Sequence, residues 1–208
     1  MAQYKDYGFD NADKSHIHQY LTEPILCLLG PPSGKKILDV GCGNGWLAAL
    51  LVDKGYDVYG TDASQLGIEI ANRRHPGRFF VQDLSQDTLP DALAAHAFQV
   101  IISTEVVEHL YDPKRYVAFC KTVLQNSQGG EFIISTPYHG YLKNLILALT
   151  GKLDNHFTAL WDGGHIKFWS RKTLTQLLEM QGFKVTKFIG CGRMPYLWKS
   201  MIIKGVIR

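Results

Sequence analysis

Apolar runs of strand length alternate with stretches whose apolar positions recur every three or four residues, and the order is regular along most of the chain. "KKILDV" (35–40), "YDVYGTD" (56–62), "RFFVQD" (78–83), "FQVIIS" (98–103), "GEFIIST" (130–136), "FKVTKFIG" (183–190) and "SMIIKGVIR" read as strands. "WLAALLVDKG", "SQLGIEIANRR" and segments near 113–125 and 171–181 read as helices between them. Strands that are apolar almost throughout, separated by helices, predict an α/β fold with a mainly parallel sheet covered on both faces. The last two strands leave no room for a helix, so they are expected to pair as an antiparallel, hairpin-like edge.

The rhythm breaks between Pro137 and Ser170, in a stretch rich in aromatic residues and histidine. It predicts a helical cap insertion near 137–170, and insertions of this length are usually lids or binding elements. One domain, 1–208, is expected: an N-terminal helical cover (1–34), a core (35–136), the cap, and a C-terminal helix with strands (171–208). With 46% hydrophobic residues in 208 the chain can bury a full core. The formal charge is only +3 and lysine and arginine form no stripe, which argues against nucleic acid. No apolar run approaches the ~18 residues of a membrane span, and the N-terminus lacks the order of a secretory signal. Cys27, Cys42, Cys120 and Cys191 lie far apart without a C-x-x-C, as reduced thiols would. A cytoplasmic protein, monomer or homodimer, is the expectation.

Chemistry concentrates at the ends of the strands. "LDVGCGNG" puts Gly41, Gly43 and Gly45 between a strand and a helix, where glycines let a ligand approach the backbone. Asp39 precedes that loop and is expected to orient it or to accept from a ligand ammonium. Asp62 closes the second strand, suited to ribose hydroxyls, and Asp83 ends the third, suited to an adenine amino group. Three acids in register would repel a diphosphate and suit a nucleoside carrying a sulfonium. On "LDVGCGNG", "YGTD", "VQDL" and "VIISTEVVEHLYDP" the chain resembles the class I S-adenosylmethionine (SAM)-dependent methyltransferases, and among them the ubiquinone-biosynthesis O-methyltransferase-like group. The resemblance implies a Rossmann-like seven-stranded sheet with an antiparallel last strand, and SAM as methyl donor. It also implies a donor site from Asp39, Gly41, Gly43, Asn44, Asp62, Ala63, Asp83, Leu84, Ser103 and Thr104.

Glu105, Glu108 and His109 follow the fourth strand. A helix beginning near Thr104 would set them at i, i+3 and i+4 on one face. Together with His165 they then read as a Mg²⁺ or Mn²⁺ site, like the set of some ubiquinone O-methyltransferases and small-RNA 2′-O-methyltransferases. Alternatively His109, His165 or Glu105 serves catalysis without metal, or the group is structural. His16, His18 and Tyr20 are placed in a segment able to fold over the donor, His139 facing the cleft, and His156, Trp161 and Trp169 in the cap. The expected activity is O-methylation of a small molecule at a hydroxyl or carboxyl group. The rivals are an RNA 2′-O-methyltransferase with a divalent metal, an NAD-dependent oxidoreductase and a non-catalytic SAM-binding module.

Overall fold

The computed structural model describes residues 8–157, 160, 161 and 163–208. Strands β1 (Lys36–Val40), β2 (Asp57–Asp62), β3 (Phe79–Val81), β4 (Val100–Thr104), β5 (Gly130–Pro137), β6 (Lys184–Cys191) and β7 (Ser200–Ile207) fall on the apolar runs. They form one sheet in the order 3-2-1-4-5-7-6. β1 runs parallel to β2 and β4, β2 to β3, and β4 to β5, whereas β7 is antiparallel to both neighbours.

The last two strands therefore pair as expected and close one edge of the sheet, with β6 outermost and β7 next to β5. β7 lies between β5 and β6, which suits a strand that is buried along most of "SMIIKGVI", while β6 is only partly covered. An antiparallel strand also delivers its first residue to the edge where the parallel strands of the sheet end. Ser200 consequently lies opposite Pro137, at the carboxyl end of β5.

Helices α1 (His18–Leu29), α2 (Trp46–Asp53), α3 (Gln65–Arg74), α4 (Asp91–Ala94), α5 (Pro113–Gln125), α6 (Tyr141–Leu149), α7 (Leu153–Phe157) and α8 (Arg171–Met180) complete the chain. Alternate residues of each strand feed two cores. Leu38, Ile101, Phe132 and Ile203 meet α5 and α8 through Val117, Leu124, Leu174 and Leu178. Ile37, Val58, Ile102 and Ile202 meet α1, α2 and α3 through Leu21, Ile25, Leu47 and Ile68. Helix starts carry the signals their sequences advertise: the Asp112 carboxylate accepts from the Arg115 N–H ahead of Pro113, and Ser170 forms a capping box with Thr173.

The 137–170 stretch supplies α6 and α7. α6 is turned inside out: Lys143 is buried and donates to the carbonyls of Tyr138 (2.8 Å) and Lys199 (3.3 Å), while Leu142, Leu145, Ile146 and Leu149 face outward. No helix among the described residues is long and apolar enough to cross a membrane.

Candidate functional site

A single large cleft opens along the carboxyl ends of β1 to β4, bounded by the glycine loop, the segment from Gly8 to His18, and the cap around Trp161 and His165. Gly41 and Gly43 have φ of 78° and 56°, and a Cβ at either would collide, with Val106 and with the Phe9 ring respectively. Asp62 braces this loop. Its carboxylate accepts from the N–H groups of Gly43 and Ser64, both at 2.8 Å, and the Thr61 carbonyl accepts from those of Gly41 and Cys42.

Asp39 does not orient the turn as one sequence expectation had it. Its side chain is 1% exposed, and neither carboxylate oxygen has a hydrogen-bond partner among the described residues. Burial, reinforced by the charge of Asp62, pushes its carboxyl up to about 7. Asp39 precedes the glycine loop without lining the cleft itself, and a buried carboxyl left without a partner carries an uncompensated desolvation cost.

Further along the rim, Ala63 sits beside Asp62, Leu84 is half-buried, and exposed Asp83 accepts from the Ser85 N–H at 2.8 Å. Thr104 lines the cleft; Ser103 is completely buried and is not part of its wall. The Asn44 amide donates to the carbonyls of Asn11 (2.9 Å) and Asp13 (3.0 Å), and His18 stacks on Trp46 at 4.5 Å, tying the N-terminal segment to the cleft. Asn44→Ala is expected to release that segment at a cost of about 1 kcal/mol. Limited proteolysis should then cut between residues 8 and 17 faster than in the parent while the sheet stays intact.

The exit from β4 corrects another expectation. No α-helix starts at Thr104: Glu105 adopts φ 55°, a short 3-10 turn covers Val107–His109, and α5 waits for Pro113. The turn forms because β5 competes for Glu105, whose N–H donates to the Ser135 carbonyl at 3.2 Å. Its carboxylate accepts from the hydroxyls of Ser135 (2.8 Å) and Ser200 (3.1 Å). Glu105 thereby stays outside the cluster that Glu108 and His109 enter, and the four-residue metal set is not assembled among the described residues.

What does assemble is a trio. The ligating atoms of Glu108, His109 and His165 lie within 4.8 Å of one another. His165 is brought there because the N–H groups of Ile166 and Lys167 donate to the Glu108 carbonyl, at 2.9 and 3.0 Å. His109 Nδ1 lies 2.9 Å from the Gly163 carbonyl, which can only accept, so Nδ1 carries the proton and Nε2 presents its lone pair, 3.9 Å from Glu108.

Glu108 is 1% exposed; one carboxylate oxygen accepts from the Thr136 hydroxyl at 2.9 Å and the other has no hydrogen-bond partner. Burial, then the neighbouring Glu105, raises its carboxyl well above the usual range. Burial lowers His109 and takes His165 to about 4. Burial thus favours the neutral form of all three groups. One carboxylate and two imidazoles offer fewer oxygen ligands than Mg²⁺ or Mn²⁺ prefer.

His139 does not face the cleft. It is buried, packs at 4.5 Å on His156 and at 5.0 Å on Phe168, and helps seat the cap. Trp161 lies on the cleft, 5.8 Å from the rings of both His109 and His165, whereas Trp169 does not reach it. Tyr116, Lys199 and Ser200 also line the cleft, and no local pattern in the sequence marks them.

Residues 14–187 match a family model described as a methyltransferase domain. The chain belongs to that family. This methyltransferase is 33% identical, over 79% of its length and 69% of the relative's, to a ubiquinone biosynthesis O-methyltransferase of Dinoroseobacter shibae. A probable SAM-dependent methyltransferase of Mycolicibacterium smegmatis is 31% identical, with 76% and 55% covered. The chain thus spans between about half and somewhat over two thirds of the curated relatives it matches. Among solved structures, a SAM-dependent methyltransferase from Aquifex aeolicus superposes with TM-score 0.67 at 17% identity, covering 95% of both chains. The magnesium protoporphyrin IX methyltransferase of Synechocystis, solved with bound SAH, gives 0.65 at 19%, covering 90% of this chain and 80% of that one. The Rossmann-like sheet and the dependence on SAM follow from family and fold together.

Proposed function

We propose that this methyltransferase moves the methyl group of SAM to an oxygen of a small-molecule acceptor. The observation that carries the reading is the closure of His165 over His109 and Glu108 next to Thr104, which gives the cleft a half-buried polar compartment beside the glycine loop. The curated relatives named as O-methyltransferases support the choice of oxygen.

SAM brings an already activated methyl group, so the protein's task is to bind, align and exclude water. Asp39, with no partner of its own, would take the ammonium of the methionine moiety, and the backbone at Gly41, Gly43 and Asn44 would lie beneath it. Asp62 and Ala63 would border the ribose, Asp83 and Leu84 the adenine, and Thr104 the transferring end. His109, His165 and Trp161 would hold the acceptor; neutral imidazoles suit hydrogen bonds to its polar groups better than permanent removal of a proton.

Incubation with tritiated SAM and a cell extract, followed by mass identification of the labelled product, tests the reading. An O-methylated small molecule is expected, formed at an unchanged rate in excess EDTA. Label in RNA or on nitrogen would replace the proposal. Activity lost to EDTA and restored by Mn²⁺ would overturn the metal-free trio.

A further inference from the structure

Glu105 is the acid that acceptor binding leaves unused, and its placement is costly. A non-glycine residue at φ 55° holds a strained backbone, a feature that concentrates at working sites. The strain buys a specific arrangement. Glu105 lies where β5 ends and β7 begins, on the cleft wall, with one oxygen on the Ser135 hydroxyl and the other on Ser200.

Ser200 is 2% exposed, and its Oγ lies 3.4 Å from the Tyr20 hydroxyl. Tyr20, from α1, is half-buried on the opposite wall of the same cleft, with the Lys199 ammonium 5.3 Å from its ring centroid. The chain has a direction. Because Ser200 donates to Glu105, its oxygen is left to accept from Tyr20, and the Tyr20 oxygen is left to accept from whatever lies in the cleft.

Building on the O-methyl transfer proposed above, we propose that Tyr20 and Ser200 carry the acceptor's hydroxyl proton to Glu105. As the acceptor oxygen bonds the methyl carbon and the carbon–sulfur bond breaks, the acceptor's proton passes to the Tyr20 oxygen. The Tyr20 proton passes to Ser200, and the Ser200 proton to Glu105. The sulfonium becomes a neutral thioether, the bond's electron pair staying on sulfur, while the carboxylate becomes a neutral acid. One positive and one negative charge disappear together, which suits a poorly hydrated site.

Burial holds the Glu105 carboxyl up at about 7, against the opposing pull of both serine hydroxyls and of Lys143, which matches a base working near neutrality better than His165 does. The ionisable groups facing it are Glu108 on the 3-10 turn, Lys143 on α6, Cys191 at the end of β6 and Tyr20 on α1. A relay of this kind is needed for a hydroxyl and is redundant for a carboxylate, so it narrows the acceptor to a hydroxyl compound.

The test compares Ser200→Ala, Ser200→Thr, Tyr20→Phe and the Ala/Phe double variant in label transfer from tritiated SAM to the extract, with SAH affinity measured by calorimetry. Ser200→Ala and Tyr20→Phe are each expected to slow transfer roughly 100-fold, and Ser200→Thr to recover most of the loss. The double variant should be no slower than either single one, since both break one path. SAH affinity should stay at the parent value throughout.

Parent-like transfer in Tyr20→Phe or Ser200→Ala, no rescue by threonine, or losses that multiply in the double variant would overturn the relay. Tyr20→Phe decides the matter if the Ser200 variants do not fold. Parent protein that binds SAH yet labels nothing would instead overturn the O-methyl reading on which the relay rests.

Discussion

Asp39→Asn is expected to stabilise the ligand-free protein at pH 8, to change it little at pH 4, and to weaken SAH binding at least 100-fold. The sign follows from where the group titrates. Burial raises the folded Asp39 carboxyl from 3.8 to about 7, so the folded state must lose its proton reluctantly. Asp39 therefore destabilises the fold increasingly from about pH 4 to about pH 7, and by a constant amount above. Three pH units correspond to at most about 4 kcal/mol. Asparagine removes the charge but leaves an amide without partners, so a net gain of about 1–3 kcal/mol is the expected reading.

Urea midpoints at pH 4 and pH 8 measure the stability, and calorimetry with SAH measures the function. The two effects have opposite signs because the same unpaired carboxylate that burdens the empty fold is free to receive a cation. A substitution that destabilised at pH 8, or left SAH affinity intact, would show that Asp39 is a structural acid.

Asp62→Ala is expected to weaken SAH binding by one to two orders of magnitude, the loss of a charge-assisted partner worth about 1.5–3 kcal/mol. It should also lower stability by about 1–2 kcal/mol, because the Gly43 and Ser64 N–H groups lose their acceptor. Asp62→Asn keeps one accepting oxygen and should fall between the two in both measurements. Unchanged SAH affinity in the alanine variant would remove Asp62 from the donor site.

These two acids show how unevenly the site could be read in advance. Both stand at strand ends in the sequence, and their positions alone pointed to the half of the cleft proposed for the donor. Of the two alternatives for Asp39 the turn-orienting one is filled by Asp62 instead, which braces the glycine turn while Asp39 makes no hydrogen bond among the described residues. The difference lies in which backbone N–H groups point toward each carboxylate, and the β1–β2 register decides that.

The acceptor half was less legible. A helix beginning near Thr104 would have set Glu105, Glu108 and His109 on one face, yet Glu105 adopts a positive φ with its carboxylate on the hydroxyls of Ser135 and Ser200. A hydrogen bond to a residue 95 positions away leaves no mark on local periodicity. His165 was nominated by residue type, but its closure over His109 depends on two backbone hydrogen bonds to the Glu108 carbonyl.

Sequence by itself determined the strands, the helices α5 and α8, the glycine loop and the acids that follow it, because apolar periodicity, capping residues and backbone permissiveness act within a few neighbours. Only the tertiary structure decided that β7 lies inside the sheet rather than at its edge. Its antiparallel direction then carries Ser200 to the mouth of the cleft, and that contact turns Glu105 from a presumed metal ligand into the end of a hydroxyl chain. An apolar strand satisfies its own pattern at many positions in a sheet, and the choice among them is made by the surfaces it finds on either side.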